Sequence, residues 1–158
     1  SAKCTTLPDG TRVAPSDLEG ITVIGKSILT KGKFNIDAAV VYLNGHAYAY
    51  FIRGKCGQCA KAVRLALDAG GINTNPHPIP AKNYEPYLKQ WGFTEISKTD
   101  YIPMKGDVRV FQNYPGGTPH GHIDMYNGEN WVSDFIEKGN WPGNNYQKYN
   151  TPFSIFRW

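Results

Sequence analysis

The strongest periodic pattern in the chain lies between Cys59 and Ala69. Apolar side chains recur there at the i, i+3 and i+4 spacing of one helix face, whereas the charged side chains fall largely away from it. Glycines at 70–71 follow and offer a left-handed stop. The pattern predicts one amphipathic helix whose first residue is a cysteine. Its apolar face would consist of Cys59, Ala62, Val63, Ala66 and Leu67.

A shorter helical pattern covers residues 81–91. Tyr84, Tyr87, Leu88 and Trp91 fall on one side of it, and a glycine follows as an end signal. Because Pro86 removes a backbone N–H from the middle, we expect a kink or a late start. Three prolines within 72–80 predict an extended loop between the two helices.

Runs of β-prone residues lie on both sides of these helices. Ahead of them, 20–27 and 35–51 are β-like, and Asn44-Gly45 divides the second run into halves, which predicts a hairpin. Behind the helices, turns at 105–107 and 127–128 punctuate a β-rich region. Strands are expected there at 108–111, 122–126, 130–135 and 153–157. One main helix followed by a mostly antiparallel sheet predicts an α+β domain.

Length and charge indicate how many domains the chain forms and which classes of protein are excluded. With 158 residues, 41% of them hydrophobic, the chain can bury a core as one domain. We expect 1–53 to be an N-terminal elaboration packed on a core formed by 54–158. The net charge of +4 comes without a dense Lys/Arg cluster, which argues against nucleic-acid binding. No run approaches the roughly 20 apolar residues of a membrane span, and the first residues do not form a secretory signal.

The three cysteines are Cys4, Cys56 and Cys59. An odd number leaves at least one thiol free unless two chains are linked. A Cys4–Cys56 disulfide and a fully reduced chain are both compatible with the sequence.

Cys59 and His122 are the candidate nucleophile and base. A thiol in the first turn of a helix lies among unpaired backbone N–H groups at the positive end of the helix dipole, a field that favours the thiolate. His122 opens a predicted strand, and an imidazole there could deliver a proton to the leaving group of an acyl transfer. The alternative without catalysis is that Cys59 is a small core residue and His122 a structural one.

A histidine base needs an orienting group. The predicted turn at 127–128 brings a return strand beside His122, which makes Asp134 the favoured partner. Asp124, two residues along the same strand and on the same face, is the rival. For the oxyanion we expect the backbone N–H of Cys59, with the Gln58 side chain as a candidate second donor.

Aromatic residues make up 13% of the chain. Rings with polar tips suit a groove for a polar polymer, although they also fill cores and rims. Tyr114, Trp131 and Trp141 are the candidates for such a groove.

Two other chemistries fit the same residues. Cys56 and Cys59 form a C-x-x-C pattern, which could be a redox pair at a helix start, although the β-rich region after it fits a thioredoxin-like layout poorly. With His120 and His122 the same cysteines could bind zinc, but the His-x-His separation is shorter than usual.

Four segments together resemble the CHAP and NlpC-type peptidoglycan amidases. They are similar in particular to small bacterial CHAP-like amidases and to amidase effectors of type VI secretion, over roughly 54–158. The residues 1–53 and the extra Cys56 have no counterpart in the family pattern. The segments are Cys59–Arg64, Lys105–Phe111, Gly121–Tyr126 and Trp131–Phe135.

The resemblance implies a papain-like fold with Cys59 as nucleophile, His122 as base and Asp134 as third residue. It implies hydrolysis of an amide in the peptidoglycan stem peptide without a metal or other cofactor. We therefore expect a monomeric cysteine amidase or endopeptidase, secreted or delivered to the periplasm of a target bacterium. A cognate immunity protein would then be a partner. The alternative from another class is a non-catalytic cell-wall-binding module.

Overall fold

A computed structural model describes residues 5–6, 12–13, 32–52 and 58–158 of the chain, the first two pairs by backbone alone. The strand predicted at 20–27, and both Cys4 and Cys56, lie outside the described residues. The helices are α1 (Ile36–His46), α2 (Cys59–Ala69), α3 (Glu85–Trp91) and α4 (Asn144–Lys148), with a 3₁₀ turn at Ala81–Asn83. The strands are β1 (Thr5–Thr6), β2 (Arg12–Val13), β3 (Thr94–Ile96), β4 (Val108–Phe111), β5 (His122–Tyr126), β6 (Trp131–Val132) and β7 (Phe153–Arg157).

The hairpin predicted for 35–51 is wrong, because most of this segment is helix α1. The Asn35 side chain accepts a hydrogen bond from the backbone N–H of Ala38, a standard N-cap, and Asp37 lies in the first turn. Asn44 and Gly45 form the last turn instead of a β-turn. The face that carries Leu43 packs on α2, and this tertiary burial outweighs the β propensity of the segment.

The helical predictions for 59–69 and 81–91 are confirmed. In α2 the buried residues include Val63, Ala66 and Leu67, and the chain turns at Gly71 with a φ of 100°. The second pattern divides as its proline suggests: a 3₁₀ turn comes first, and α3 begins at Glu85 with Pro86 in its first turn. Gly92 ends α3 in the left-handed conformation.

Five strands form an antiparallel sheet in the order β3-β7-β4-β5-β6. The α+β class is therefore confirmed. The return strand β6 is shorter than predicted, and neither β3 nor α4 was expected from the sequence. A separate pair joins β1 and β2.

The sheet separates an apolar side from a side that carries polar groups. Val108, Val110, Ile123 and Met125 belong to the core cluster shared with the helices. The alternating residues of the same two strands form the other face, because successive side chains in a strand point to opposite sides. Those residues are Arg109, Phe111, His122 and Asp124. None of the described helices is long and apolar enough to cross a membrane.

Candidate active site

Cys59 and His122 meet in one cleft. Cys59 is the first residue of α2 and His122 the first of β5, and both line a cavity of about 570 Å³. Burial alone would lower the pKa of His122. The charges of Glu137 and Cys59, and hydrogen bonds to both, raise it well above its usual range instead. The thiol and the imidazole that the sequence singled out therefore lie in the same cleft and interact there.

Gly121 lets the chain enter β5 at this point. Its φ is +66°, and a Cβ there would collide with the backbone carbonyl of Phe111. A glycine is therefore needed where the chain places His122 opposite Phe111 in the β4–β5 register.

The ring of His122 turns its Nε2 toward two buried carboxylates. Nε2 lies 3.4 Å from Oε2 of Glu137 and 3.7 Å from Oδ2 of Asp124. Burial and the charge of Asp124 raise the pKa of Glu137, against the opposing charge of His122, to about 8. The carboxylate nearest to the imidazole is thus one that sequence reasoning did not single out.

Asp134 also lines the cleft with Cys59 and His122. Burial raises its pKa, while the charge of His122 and hydrogen bonds from the Ser133 hydroxyl and the backbone N–H of Gln58 lower it. Its backbone carbonyl accepts a hydrogen bond from Tyr48 N–H at 2.8 Å. Asp134 therefore joins the turn after β6 to the start of α2.

Asp124, the rival orienter, is held by Arg109. Arg109 Nε and Nη2 donate to the two carboxylate oxygens at 3.0 and 2.7 Å, a bidentate pair between cross-strand neighbours. The guanidinium also lies 3.8 Å from the centroid of the Trp131 ring. Trp131 is buried beneath this pair and lines neither described cavity. The prediction that it belongs to a substrate groove is therefore wrong.

The remaining predicted residues lie close to the cleft. Gln58 is the N-cap residue of α2, but its side chain makes no capping hydrogen bond. Tyr114 lines the cleft. Trp141 lines a second cavity of about 730 Å³, which shares Phe51 and Phe135 with the cleft.

No protein-family model matches the chain, and no curated protein does. Among solved structures, the type VI effector–immunity complex Tae3–Tai3 from Ralstonia pickettii matches with a TM-score of 0.70 and 35% identity over 79% of this chain and 99% of the other. The chain belongs to the Tae3 effector family. A selenomethionine form of that complex matches with a TM-score of 0.65 and 36% identity, over 75% and 98% of the two chains.

The candidate site of this Tae3-family chain has a group of potential metal ligands. Ligand atoms of His122, Asp124 and Glu137 all lie within 4.8 Å of one another. Arg109 already occupies both oxygens of Asp124 and supplies a positive charge there, which disfavours a cation. The zinc and redox alternatives both need Cys56, which lies outside the described residues.

Sequence reasoning missed three residues of the candidate site. Arg109 carried a signal, because a charge between valines on a buried strand needs a partner. Glu137 and Tyr146 carried none, since they reach the site only through the turn after β6 and the packing of α4. Tyr146 lines the cleft, and burial together with the charge of Cys59 raises its pKa.

Proposed function

We propose that the chain is a cysteine amidase or endopeptidase that hydrolyses an amide bond in the peptidoglycan stem peptide. The observation that carries the proposal is the Cys59–His122 pair, at a helix N-terminus and a strand start, which lines a cleft although both residues are largely buried. Membership of the Tae3 effector family supports the same proposal. The arrangement of a cysteine helix on an antiparallel sheet fits a papain-like fold of the CHAP or NlpC type.

In the proposed reaction His122 takes the proton of Cys59, and the thiolate attacks the amide carbonyl carbon. The imidazolium then gives that proton to the leaving amine as the C–N bond breaks. Water, deprotonated by His122, attacks the thioester and releases the carboxylate, which restores the thiol. These steps need only the residues of the cleft and one water molecule.

The tetrahedral intermediate carries a negative oxygen next to the sulfur. The N–H of Cys59 has no partner within α2, because it belongs to the first helical position, and it is the proposed donor to this oxygen. The Gln58 side chain stays the candidate second donor. Asp134, the third residue implied by the family resemblance, shapes this end of the cleft through its bond to Gln58 N–H.

Membership of the Tae3 family also supports a proposal for the partners and the place of action. Tae3 of Ralstonia pickettii forms a complex with Tai3. We propose that this chain likewise has a cognate immunity protein, is delivered to the periplasm of a target bacterium and acts there as a monomer. Tyr114 in the cleft and Trp141 in the adjoining cavity would contact the stem peptide or glycan.

The test uses purified peptidoglycan sacculi. Cys59→Ala and His122→Ala should release no soluble muropeptides, whereas His46→Ala, an exposed histidine on α1, should act as the wild type does. Mass spectrometry of the products identifies the cleaved bond. Release by Cys59→Ala at the wild-type rate would eliminate Cys59 as the nucleophile, whereas binding of sacculi by the wild type without any release would favour a non-catalytic cell-wall-binding module.

A further inference from the structure

Glu137 lies against the imidazole of the proposed base and is fixed there by the backbone. Its N–H donates to the carbonyl of Trp131 at 2.9 Å, and Ile136 bridges to Val132, so the chain folds back along β6. This return places Oε2 of Glu137 3.4 Å from Nε2 of His122. Both side chains are buried.

The neighbouring carboxylates have other partners. Arg109 binds both oxygens of Asp124, and Asp124 lies farther from Nε2, at 3.7 Å. Asp134 accepts hydrogen bonds from the Ser133 hydroxyl, at 3.2 Å, and from Gln58 N–H. Glu137 Oε1 has no hydrogen-bond partner among the described residues, and the nearest cation to it is Arg109 Nη2 at 3.7 Å. Glu137 is therefore the carboxylate that is available to accept a hydrogen bond from His122.

We propose that Glu137, and not Asp134, is the positioning residue that orients His122 and stabilises its protonated form. The inference rests on the proposed cysteine hydrolysis and assigns one of its groups. When Nε2–H donates to Glu137, the other ring nitrogen, Nδ1, is left to take the proton of Cys59. The imidazolium that this transfer creates favours the ionised form of Glu137, and the two opposite charges then stabilise each other.

The charges around this pair come from every element packed on it. Asp124 lies on β5, Arg109 on β4, Cys59 on α2 and Tyr146 on α4, and Asp134 lies in the turn after β6. Arg109 and Asp124 largely cancel each other. Glu137 is consequently the negative group whose removal should change the protonation of His122 most.

The first experiment measures His122 by NMR in a Cys59→Ala background, which removes the thiol. The pKa of His122 should fall by about 1–3 pH units in Glu137→Gln, because an opposite charge at this range contributes about that much. Glu129→Gln, the same change at an exposed position, should leave it unchanged. A larger fall in Asp134→Asn than in Glu137→Gln would overturn the proposal.

A second measurement leaves Glu137 intact, so it does not depend on how well that variant folds. In Cys59→Ala alone, the neutral ring of His122 should carry its proton on Nε2, which nitrogen chemical shifts report. A proton on Nδ1 would contradict the proposal. Both NMR results are independent of hydrolysis, so they separate a failure of this inference from a failure of the proposed function.

The kinetic experiment asks whether Glu137 acts on the reaction. Glu137→Gln should lower kcat by roughly tenfold to a hundredfold with little change in KM, because the amide can accept Nε2–H but carries no charge. Glu129→Gln should keep both constants. An unchanged kcat in a folded Glu137→Gln protein would refute the assignment.

Discussion

At the scale of single residues, the environment of His122 depends on groups that are far apart in the chain. Glu137 reaches Nε2 from the turn after β6, and Cys59 reaches the ring from α2. Arg109 reduces the repulsion between the buried carboxylates near His122, because it neutralises Asp124 inside the protein. A buried ion pair of this kind adds little stability over an apolar core, but loss of one partner leaves an uncompensated charge.

Replacement of Arg109 tests that dependence. Arg109→Met should lower the free energy of unfolding by about 3–5 kcal/mol, because Asp124 then remains buried without its cation. Lys105→Met removes the cation of the exposed pair with Asp37 and should cost less than about 1 kcal/mol. Urea denaturation measures both changes. Equal losses in the two variants would mean that the buried pair has no special role.

At the scale of elements, α1 is the point where local pattern and tertiary structure disagree. In the predicted hairpin, Val41 and Leu43 would share one face, since they are two residues apart. In the helix they separate: Val41 is 72% exposed and Leu43 is 1% exposed. Packing on α2 therefore decides the conformation of this segment, and α1 becomes part of the hydrophobic core.

Two alanine variants distinguish the helix from the hairpin. Leu43→Ala should destabilise the protein by about 2–5 kcal/mol, the usual cost of an emptied core position. Val41→Ala should change stability by less than about 0.5 kcal/mol, because its side chain faces solvent. The comparison is made by urea denaturation. Similar losses at both positions would favour a shared buried face and contradict α1.

At the scale of the whole molecule, the buried pair of Glu137 and His122 connects global stability to pH. The pKa of each group is raised in the folded protein, that of Glu137 to about 8. The folded state therefore binds more protons than the unfolded chain above about pH 4.5 for Glu137 and about pH 6.5 for His122. Both contributions favour folding at low pH and are lost as pH rises through the folded-state pKa values.

The free energy of unfolding should accordingly fall between about pH 5.5 and about pH 8.5, with a slope of at most about 1.4 kcal/mol per pH unit for each proton. Glu137→Gln removes one group and weakens the shift of the other, so its slope should be shallower. Glu129→Gln serves as the exposed control and should keep the wild-type slope. Urea denaturation across this range gives both slopes, and parallel curves for all three proteins would argue against the coupling.

Much of the architecture was readable from local pattern. The helix that begins at Cys59 follows from apolar periodicity and its glycine stop, and the strand that begins at His122 follows from β-prone residues between turn signals. Such signals are contained within a few residues of chain, and at these two elements the tertiary packing agrees with them, unlike at 35–51. The thiol and the imidazole could be singled out as a candidate pair for the same reason.

The partners of His122 were decided only by the tertiary structure. Glu137 and Asp134 lie three residues apart after β6, and nothing in their spacing says which side chain turns toward the ring. That choice depends on the β-bridge between Val132 and Ile136. It also depends on two hydrogen bonds, from Arg109 to Asp124 and from the backbone N–H of Gln58 to Asp134. Local sequence specifies periodicity and propensity, whereas competition among buried charges is settled by contacts between residues that are distant along the chain.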